Sequence, residues 1–126
     1  MSVLKMEHVG IKVSSLEASI EFYTEVIGLT LLHIIGEPSD DIRLAFLSFQ
    51  EQTSVEVELI EGRWEELAEE GKVSHLAFTV SGIEDEHRRI AGLNLVGLTP
   101  IRQLANGSRF FFFNGLDGER LEFFES

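Results

Sequence analysis

The stretch that decides the fold is HVGIKVSSLE, residues 8–17, because it returns 67 positions later as HLAFTVSGIE, residues 75–84. In both copies apolar residues alternate with other residues up to a serine, which is the period of a β-strand with one buried face. A glutamate follows three residues after the serine, as in the capping box that begins a helix. The serine–glutamate pairs are Ser14 with Glu17 and Ser81 with Glu84. The recurrence predicts two copies of one structural unit.

The rest of each copy reads as a helix and three more strands, in the order βαβββ. A glycine follows each predicted helix, where helices commonly end. In the first copy we predict a strand at Lys5–Val13, a helix at Leu16–Ile27 followed by Gly28, and strands at Leu29–Ile35, Ile42–Phe49 and Ser54–Ile60. In the second we predict a strand at Val73–Val80, a helix at Ile83–Ala91 followed by Gly92, and strands at Leu95–Leu104, Arg109–Phe113 and Arg120–Phe124. The acidic segment Glu61–Lys72 is predicted to be a linker, helical around Trp64–Glu69.

The offset between the copies predicts which glutamates correspond. It changes from 67 to 64 after the helix, which a three-residue shortening of the second helix explains. The offset of 64 matches Gly28 with Gly92, Phe46 with Phe110, Phe49 with Phe113, and ELIE at 58–61 with EFFE at 122–125. Glu58 is thereby matched with Glu122, whereas its neighbour Glu56 falls opposite Arg120.

Composition bounds the class of protein. A chain of 126 residues suits one domain, which we expect to span 1–126 with modules of about 4–61 and 73–126. Ten basic residues against 22 acidic ones give a net charge of −12, which repels phosphate backbones, so we expect no nucleic-acid partner. The chain has no cysteine, which excludes disulfides and thiolate metal sites. No apolar run approaches the roughly 20 residues that cross a bilayer, so we expect a cytoplasmic protein without membrane contact.

One histidine and one glutamate in each copy are the candidates for chemistry. His8 and His75 lie in the first strands, and Glu58 and Glu122 lie in the last strands. The four can converge if the copies pack as sheets related by pseudo-symmetry. Two imidazoles and two carboxylates suit Zn²⁺, Ni²⁺, Co²⁺, Mn²⁺ or Fe²⁺, and offer neither the soft ligands of Cu⁺ nor enough oxygens for Ca²⁺. A lone histidine in a strand is more often structural, so the prediction depends on the recurrence.

Other polar and aromatic residues receive simpler interpretations. His33 and His87 have no counterpart in the other copy and are expected at the surface. Glu61 and Glu125 are duplicated, but each ends a strand and is expected to face solvent. The run Phe110–Phe113 indicates a strand buried on both faces; the alternative is that one face lines a substrate pocket.

The chain resembles the vicinal oxygen chelate superfamily, which includes glyoxalase I, methylmalonyl-CoA epimerase, extradiol dioxygenases, and fosfomycin- and bleomycin-resistance proteins. The resemblance covers essentially the whole chain. It rests on EHVGIKV at 7–13, SIEFY at 19–23 running to GL at 28–29, VEL at 57–59, SHLAF at 74–78, and DG at 117–118 through LEF at 121–123. It implies an α+β fold of two tandem βαβββ modules forming a cupped mixed sheet around a metal cleft. Glyoxalase I-like proteins carry a His, Glu, His, Glu set in this order, so they are the nearest relatives implied.

The resemblance also implies an activity. The expected reaction is a metal-dependent, glyoxalase I-like isomerisation of a 2-oxoaldehyde–thiol hemithioacetal to a 2-hydroxyacyl thioester. One divalent ion, with Ni, Co or Zn ahead of Mn or Fe, is expected on His8, Glu58, His75 and Glu122. Glu122 is the expected base, Glu58 its substitute for the opposite stereoisomer, and Lys12 and Arg109 are candidates for holding a substrate anion or else ordinary surface charges. A homodimer is expected. The alternatives are a small-molecule-binding resistance-type protein and an epimerase of the same superfamily.

Overall fold

The computed structural model describes residues 8–49, 56–63 and 75–125. The chain divides into two compact units, Met1–Leu67 and Ala68–Ser126. Each unit holds one four-stranded mixed sheet with helical structure beside it, so the fold class is α+β with tandem βαβββ order, as predicted. The predicted linker helix around Trp64–Glu69 lies outside the described residues. Within the described ranges no helix combines the length and the apolar character needed to cross a membrane.

The first unit buries one face of its sheet under its helix. Its elements are β1 (Val9–Val13), α1 (Leu16–Phe22), β2 (Thr30–Ile35), β3 (Arg43–Ser48) and β4 (Val57–Glu61). The strand order is β1-β4-β3-β2, with β1 parallel to β4 and the other neighbours antiparallel. Val13, Leu16 and Leu59 are fully buried on the helix side, whereas Gly10 and Lys12 are exposed on the other side. The predicted alternation along β1 is therefore confirmed.

The second unit repeats this topology. Its elements are β5 (Leu76–Thr79), α2 (Ile83–Ala91), β6 (Arg102–Gln103), β7 (Arg109–Asn114) and β8 (Arg120–Glu125). The order is β5-β8-β7-β6, again with the first and last strands of the unit parallel. Phe111 and Phe113 are fully buried, whereas Phe110 and Phe112 on the other face are half-buried. The strand is thus fully buried on one face only, which corrects the first interpretation of the Phe110–Phe113 run.

The predicted strand Leu95–Leu104 is mostly irregular, and only β6 remains of it. The segment still runs beside β7, because the Asn114 N–H donates to the Val96 carbonyl (2.8 Å) and the Thr99 N–H to the Phe112 carbonyl (2.9 Å). Gly97 interrupts it with a φ of 77°, and Pro100 has no N–H to donate. A short edge strand follows from these two breaks.

The helix bounds were predicted well and their capping residues were not. In the first unit α1 continues as a π-helical segment, Tyr23–Ile27, so the helical stretch matches the predicted Leu16–Ile27. Its cap is Ser15, whose hydroxyl accepts from the Ala18 N–H (3.2 Å), rather than Ser14. The cap position of α2 is Gly82 rather than Ser81, and glycine has no side chain that could cap the helix.

The sheet registers confirm the matched glutamates and correct one matched phenylalanine. Gly10 pairs with Glu58 and Ala77 pairs with Glu122, so the two glutamates are equivalent. Their antiparallel partners are Phe46 and Phe112, which are 66 positions apart. The predicted match of Phe46 to Phe110 is therefore wrong, and Leu47, not Phe49, corresponds to Phe113. The second unit has two residues more before its third strand and two fewer after it, and these changes cancel at the last strand.

Candidate metal centre

The first unit places His8 and Glu58 on the exposed face of its sheet. His8 immediately precedes β1, and Glu58 lies in the middle of β4. His8 Nε2 is 4.0 Å from Glu58 Oε1, and the side chains are 36% and 17% exposed. Val57 and Leu59 are buried on the opposite face, so strand alternation directs Glu58 away from the core.

The second unit places His75 and Glu122 in the same way. His75 immediately precedes β5, and Glu122 lies in the middle of β8. His75 Nε2 is 3.1 Å from Glu122 Oε1, with side-chain exposures of 36% and 12%. The ring of Phe112 meets the His75 ring edge-on, with 5.2 Å between centroids. Each unit therefore presents one imidazole and one carboxylate at equivalent positions.

The geometry of each pair fits joint ligation of a metal ion. Two ligand atoms that each lie about 2.1 Å from one ion are roughly 3–4 Å apart, depending on the angle between them. Both measured separations, 3.1 and 4.0 Å, lie in this range. Among the residues that the structure describes, no three His, Asp or Glu side chains form a group that could hold an ion. The structure thus brings the predicted ligands together as two pairs.

Glu56 carries an unused acceptor in the first unit. Its Oε1 is buried and has no hydrogen-bond partner among the described residues. Glu56 lies two residues before Glu58, and strand alternation places both on the same face. A buried unpaired oxygen normally costs stability, so an acceptor left at this position fits a site for a cation or a donor group.

An aromatic residue lies beside each glutamate. Phe46 is the antiparallel neighbour of Glu58, and a bulge between Leu31 and His33 brings His33 opposite Phe46. The two rings stack with 4.6 Å between centroids. His33 is exposed, as predicted, but it belongs to the same sheet face as the His8–Glu58 pair.

Arg109, a predicted substrate contact, lies on the opposite face of its sheet from the His75–Glu122 pair. Its Nη1 donates to Glu84 (2.7 Å) and its Nη2 to both Glu84 (3.1 Å) and Glu125 (2.7 Å). These contacts raise the pKa of the Arg109 guanidinium above its usual value. Arg109 and Phe111 share the helix side of β7, opposite to Phe112. Arg109 therefore connects β7 with α2 and β8 rather than lying beside His75 and Glu122. Lys12, in contrast, shares the exposed face of β1 with Gly10.

Glu61 and Glu125 do not simply face solvent, which corrects their interpretation. The Leu16 N–H donates to Glu61 Oε2 (2.6 Å) at the start of α1. Gly82 and Ile83 N–H groups donate to Glu125 Oε2 (2.9 and 3.1 Å) at the start of α2. Each glutamate therefore caps the helix of its own unit from the end of the last strand.

His87 also departs from the predicted surface role. Its Nε2 lies 2.8 Å from the Thr99 carbonyl, and its ring meets Phe111 edge-on at 4.8 Å. It therefore ties α2 to the irregular segment before β6. No residue pattern in the sequence signals this contact, because the partner is a backbone carbonyl.

Arg120 lies on the same face of the second sheet as His75 and Glu122, which we call the site face, and no sequence pattern predicted its place there. It lies two residues before Glu122, and its guanidinium carbon is 5.0 Å from the centroid of Phe112. The signal that could have found it is the contrast at duplicated positions, where the first copy has Glu56 and the second has an arginine.

Comparison with known proteins agrees with the fold. The model of the Glyoxalase/Bleomycin resistance protein/Dioxygenase superfamily matches residues 5–123. The uncharacterized protein YwbC of Bacillus subtilis (strain 168) is 40% identical over 122 residues, which cover 96% of this chain and 97% of that protein. A lactoylglutathione lyase of Haemophilus influenzae (strain ATCC 51907 / DSM 11121 / KW20 / Rd) is 27% identical over 129 residues, with coverages of 98% and 93%.

Solved structures share the whole architecture. The fosfomycin resistance protein FosX of Listeria monocytogenes, complexed with Mn(II) and sulfate ion, has a TM-score of 0.75 at 18% identity and covers 100% of this chain and 93% of its own. At that identity the likeness concerns the fold. The family model extends over nearly all of the sequence. The chain belongs to the glyoxalase/bleomycin resistance protein/dioxygenase superfamily.

Proposed function

We propose that this protein is a metal-dependent, glyoxalase I-like lyase that converts a 2-oxoaldehyde–thiol hemithioacetal to a 2-hydroxyacyl thioester. The observation that carries the proposal is the His–Glu pair at equivalent positions of both units, with separations of 4.0 and 3.1 Å. The similarity to a lactoylglutathione lyase supports the same reaction class. Four donors also favour an enzyme over a resistance-type binding protein, because a ligand-sequestering cleft does not require a complete metal shell.

The metal ligands in this proposal are His8, Glu58, His75 and Glu122, with Ni, Co or Zn as the expected ion. The Mn(II) bound by FosX supports a divalent ion in a protein of this fold. Held by these residues, such an ion would act as a Lewis acid toward the substrate oxygens. The histidines would ligate through a ring nitrogen, and the two carboxylates would offset the charge of the ion.

The proton transfer in this proposal belongs to Glu122. A carboxylate beside the reacting carbons takes a proton from one carbon and returns it to the next. Glu122 is only 12% exposed and has Phe112 as its cross-strand neighbour, so little water competes for its oxygens. Glu58 has Phe46 in the equivalent position and is suited to the opposite stereoisomer of the hemithioacetal.

The first experiment is an elemental analysis of the purified protein, followed by an isomerisation assay with methylglyoxal and several thiols. We expect about one divalent ion per chain and thioester formation that is lost on chelation. Glu122→Gln is expected to lower kcat by about 10²–10⁴-fold, because it removes the proton acceptor with little change of shape.

The matched control is Glu119→Gln, a glutamate in the turn before β8 whose Oε1 accepts from the Asp117 N–H (3.0 Å). This variant is expected to keep the parental kcat. Turnover by Glu122→Gln at the parental rate would rule out the assigned base. Absence of metal after reconstitution would rule out the enzyme and leave the binding protein as the better assignment.

A further inference from the structure

Arg120 lies beside the His75–Glu122 pair but belongs to no metal set. It is two residues before Glu122 on β8, so both side chains project from the same face of the sheet. The parallel register pairs Leu76 with Leu121, so His75 and Arg120, each one residue earlier, are at adjacent positions of neighbouring segments. The site face of the second unit thus carries a cation next to the proposed ligands.

The guanidinium of Arg120 is held in a defined position. Its Nη1 donates to the Gly97 carbonyl (2.8 Å) and to Asn114 Oδ1 (2.7 Å). Its Cζ is 5.0 Å from the centroid of Phe112, within the range of a cation–π interaction. The His75 ring is 5.2 Å from the same centroid, so one phenyl ring is shared by the guanidinium and a proposed ligand.

Gly97 makes this placement possible. A Cβ built on Gly97 would lie 2.8 Å from Arg120 Nη1 and 2.8 Å from Asn114 Oδ1, closer than side chains approach. The φ of 77° at this position also favours glycine. The irregular segment before β6 therefore serves to receive the arginine.

The held guanidinium keeps donors for a ligand. Both of its hydrogen bonds to described residues use Nη1, which leaves the Nη2 and Nε donors, and these form a fork that matches a carboxylate. Arg109 differs, because Glu84 and Glu125 engage both of its terminal nitrogens. Arg120 is also partly exposed, so a ligand can reach it.

We propose that Arg120 anchors a carboxylate in the thiol half of the substrate and thereby selects acidic thiols. The inference rests on the proposed hemithioacetal isomerisation and adds the charge of its substrate. In a chain with a net charge of −12, an anionic ligand needs a local cation to offset long-range repulsion. The equivalent position of the first unit is Glu56, which repels an anion, so the two units differ in the charge that they present.

The test compares two thiols that differ only in charge, N-acetylcysteine and N-acetylcysteinamide, each mixed with methylglyoxal and the metal-loaded protein. We expect the parental protein to prefer the carboxylate by about 10–100-fold in kcat/KM, the usual range for a charged hydrogen-bonded pair. Arg120→Gln is expected to bring this ratio close to one, and Arg120→Lys to keep part of it, because lysine supplies the charge without the fork.

Arg102→Gln is the matched control. Arg102 is the cross-strand partner of Phe110, so it lies on the same exposed face of the second sheet without a role in the proposed site. This variant is expected to keep the charge preference. Loss of the preference in the control but not in Arg120→Gln would overturn the proposal, as would equal losses with both thiols in Arg120→Gln, which indicate a purely structural arginine.

A binding measurement separates this inference from the proposed function. If the parental protein isomerises neither hemithioacetal, the proposed function fails, and anion binding is read directly from the arginine Nε–H signals in ¹H–¹⁵N spectra. We expect N-acetyl-S-methylcysteine to shift the Arg120 signal and its carboxamide to leave the signal in place. An unmoved Arg120 signal with the carboxylate probe would overturn the proposal.

Discussion

Glu61 and Glu125 each accept hydrogen bonds from the start of the helix in their own unit, a role that the sequence pattern assigns to serine. Each carboxylate accepts from backbone N–H groups at the start of a helix and from an arginine of the neighbouring strand, Arg43 or Arg109. A negative charge at a helix N-terminus is favourable because it complements the helix dipole. The capping boxes predicted at Ser14 and Ser81 were wrong: Ser15 caps the first helix, and in both units a further acceptor comes from a strand more than 40 residues away.

The first prediction concerns the pH dependence contributed by Glu125. The hydrogen bond from Arg109 is the main cause that lowers the pKa of Glu125 below its ordinary 4.5, and the Ile83 N–H lowers it further. Because the folded-state pKa is the lower one, the stabilisation is complete above the unfolded pKa and disappears as the pH falls through the folded pKa. We expect the unfolding free energy to fall below about pH 4.5, and Glu125→Gln to flatten this fall and to lower stability at pH 7.

Urea denaturation at a series of pH values measures this effect. Glu25→Gln, a change at an exposed glutamate, serves as the control and should keep the parental pH profile. The pKa of Glu84 is also lowered, chiefly by Arg109, so part of the pH dependence remains in the variant. An identical pH profile for Glu125→Gln and the parent would contradict the assigned role.

At the scale of elements, the sequence predicted the order and bounds of the strands and helices better than it predicted which residues of the two copies correspond. The alternating pattern around Ile11 and Val13 and the glycine after each helix are local signals, so strands and helix ends were found. The predicted three-residue difference between the helices is also observed, as Leu16–Ile27 against Ile83–Ala91. The match of Phe46 to Phe110 failed because two loop-length changes cancel, and only the hydrogen-bond register reveals them.

The candidate site divides along the same line. His8 with Glu58 and His75 with Glu122 were predictable, because duplication marks positions whose neighbours are also duplicated. The roles of arginines were not predictable, because a guanidinium at the end of a long side chain is placed by tertiary partners. Arg109, which was expected near the substrate, forms ion pairs with Glu84 and Glu125 on the helix side of its sheet. Arg120 lies on the opposite face, beside Phe112.

The two helix-ending glycines give an element-scale prediction, because the sequence treats them alike and the structure does not. Gly28 has a φ of 96°, and a Cβ there would meet nothing within 4 Å, so its requirement for glycine is purely conformational. Gly92 has a φ of −70°, and a Cβ would make ordinary contacts at 3.5 Å. We expect Gly28→Ala to destabilise the protein by roughly 1–2 kcal/mol, and Gly92→Ala to be neutral or to stabilise by about 0.4–1 kcal/mol.

Thermal and urea unfolding of the two variants provide the comparison, and each is the control for the other. Neither glycine lies on a site face, so the assay of the proposed reaction should be unaffected at temperatures where both variants are folded. Equal destabilisation by both substitutions would contradict the distinction between the two helix ends.

At the scale of the whole molecule, each unit contributes half of the proposed ligand set. A pair of ligands binds a divalent ion less tightly than four do, so neither unit is expected to retain metal without the other. The division of labour is unequal beyond the ligands, because the first unit adds Glu56 and the second adds Arg120 at equivalent positions. An asymmetric substrate, with a metal-binding end and an anionic end, suits such an arrangement.

The last prediction uses this division to test the expected homodimer. The resemblance allows two arrangements: the first unit of one chain completes the site with the second unit of its partner, as in glyoxalase I homodimers, or the site closes within one chain. We test the first arrangement. His8→Ala disables only the first unit of a chain, and His75→Ala disables only the second. Mixed dimers of the two variants would then contain one site with both histidines intact and one with neither. We expect unfolding and refolding of an equal mixture to restore about one quarter of the parental activity, because half of the randomly formed dimers are mixed.

Each variant alone is the control and is expected to be inactive and to lose metal, since one proposed ligand is missing from every site. Metal content provides a second reading of the same mixture, because only the intact sites should retain the ion after dialysis. Size-exclusion chromatography with light scattering determines whether the parent and the variants are dimers under the assay conditions. Dimers whose mixture stays inactive would show that each site takes both histidines from one chain, and a monomeric active parent would contradict the expected homodimer.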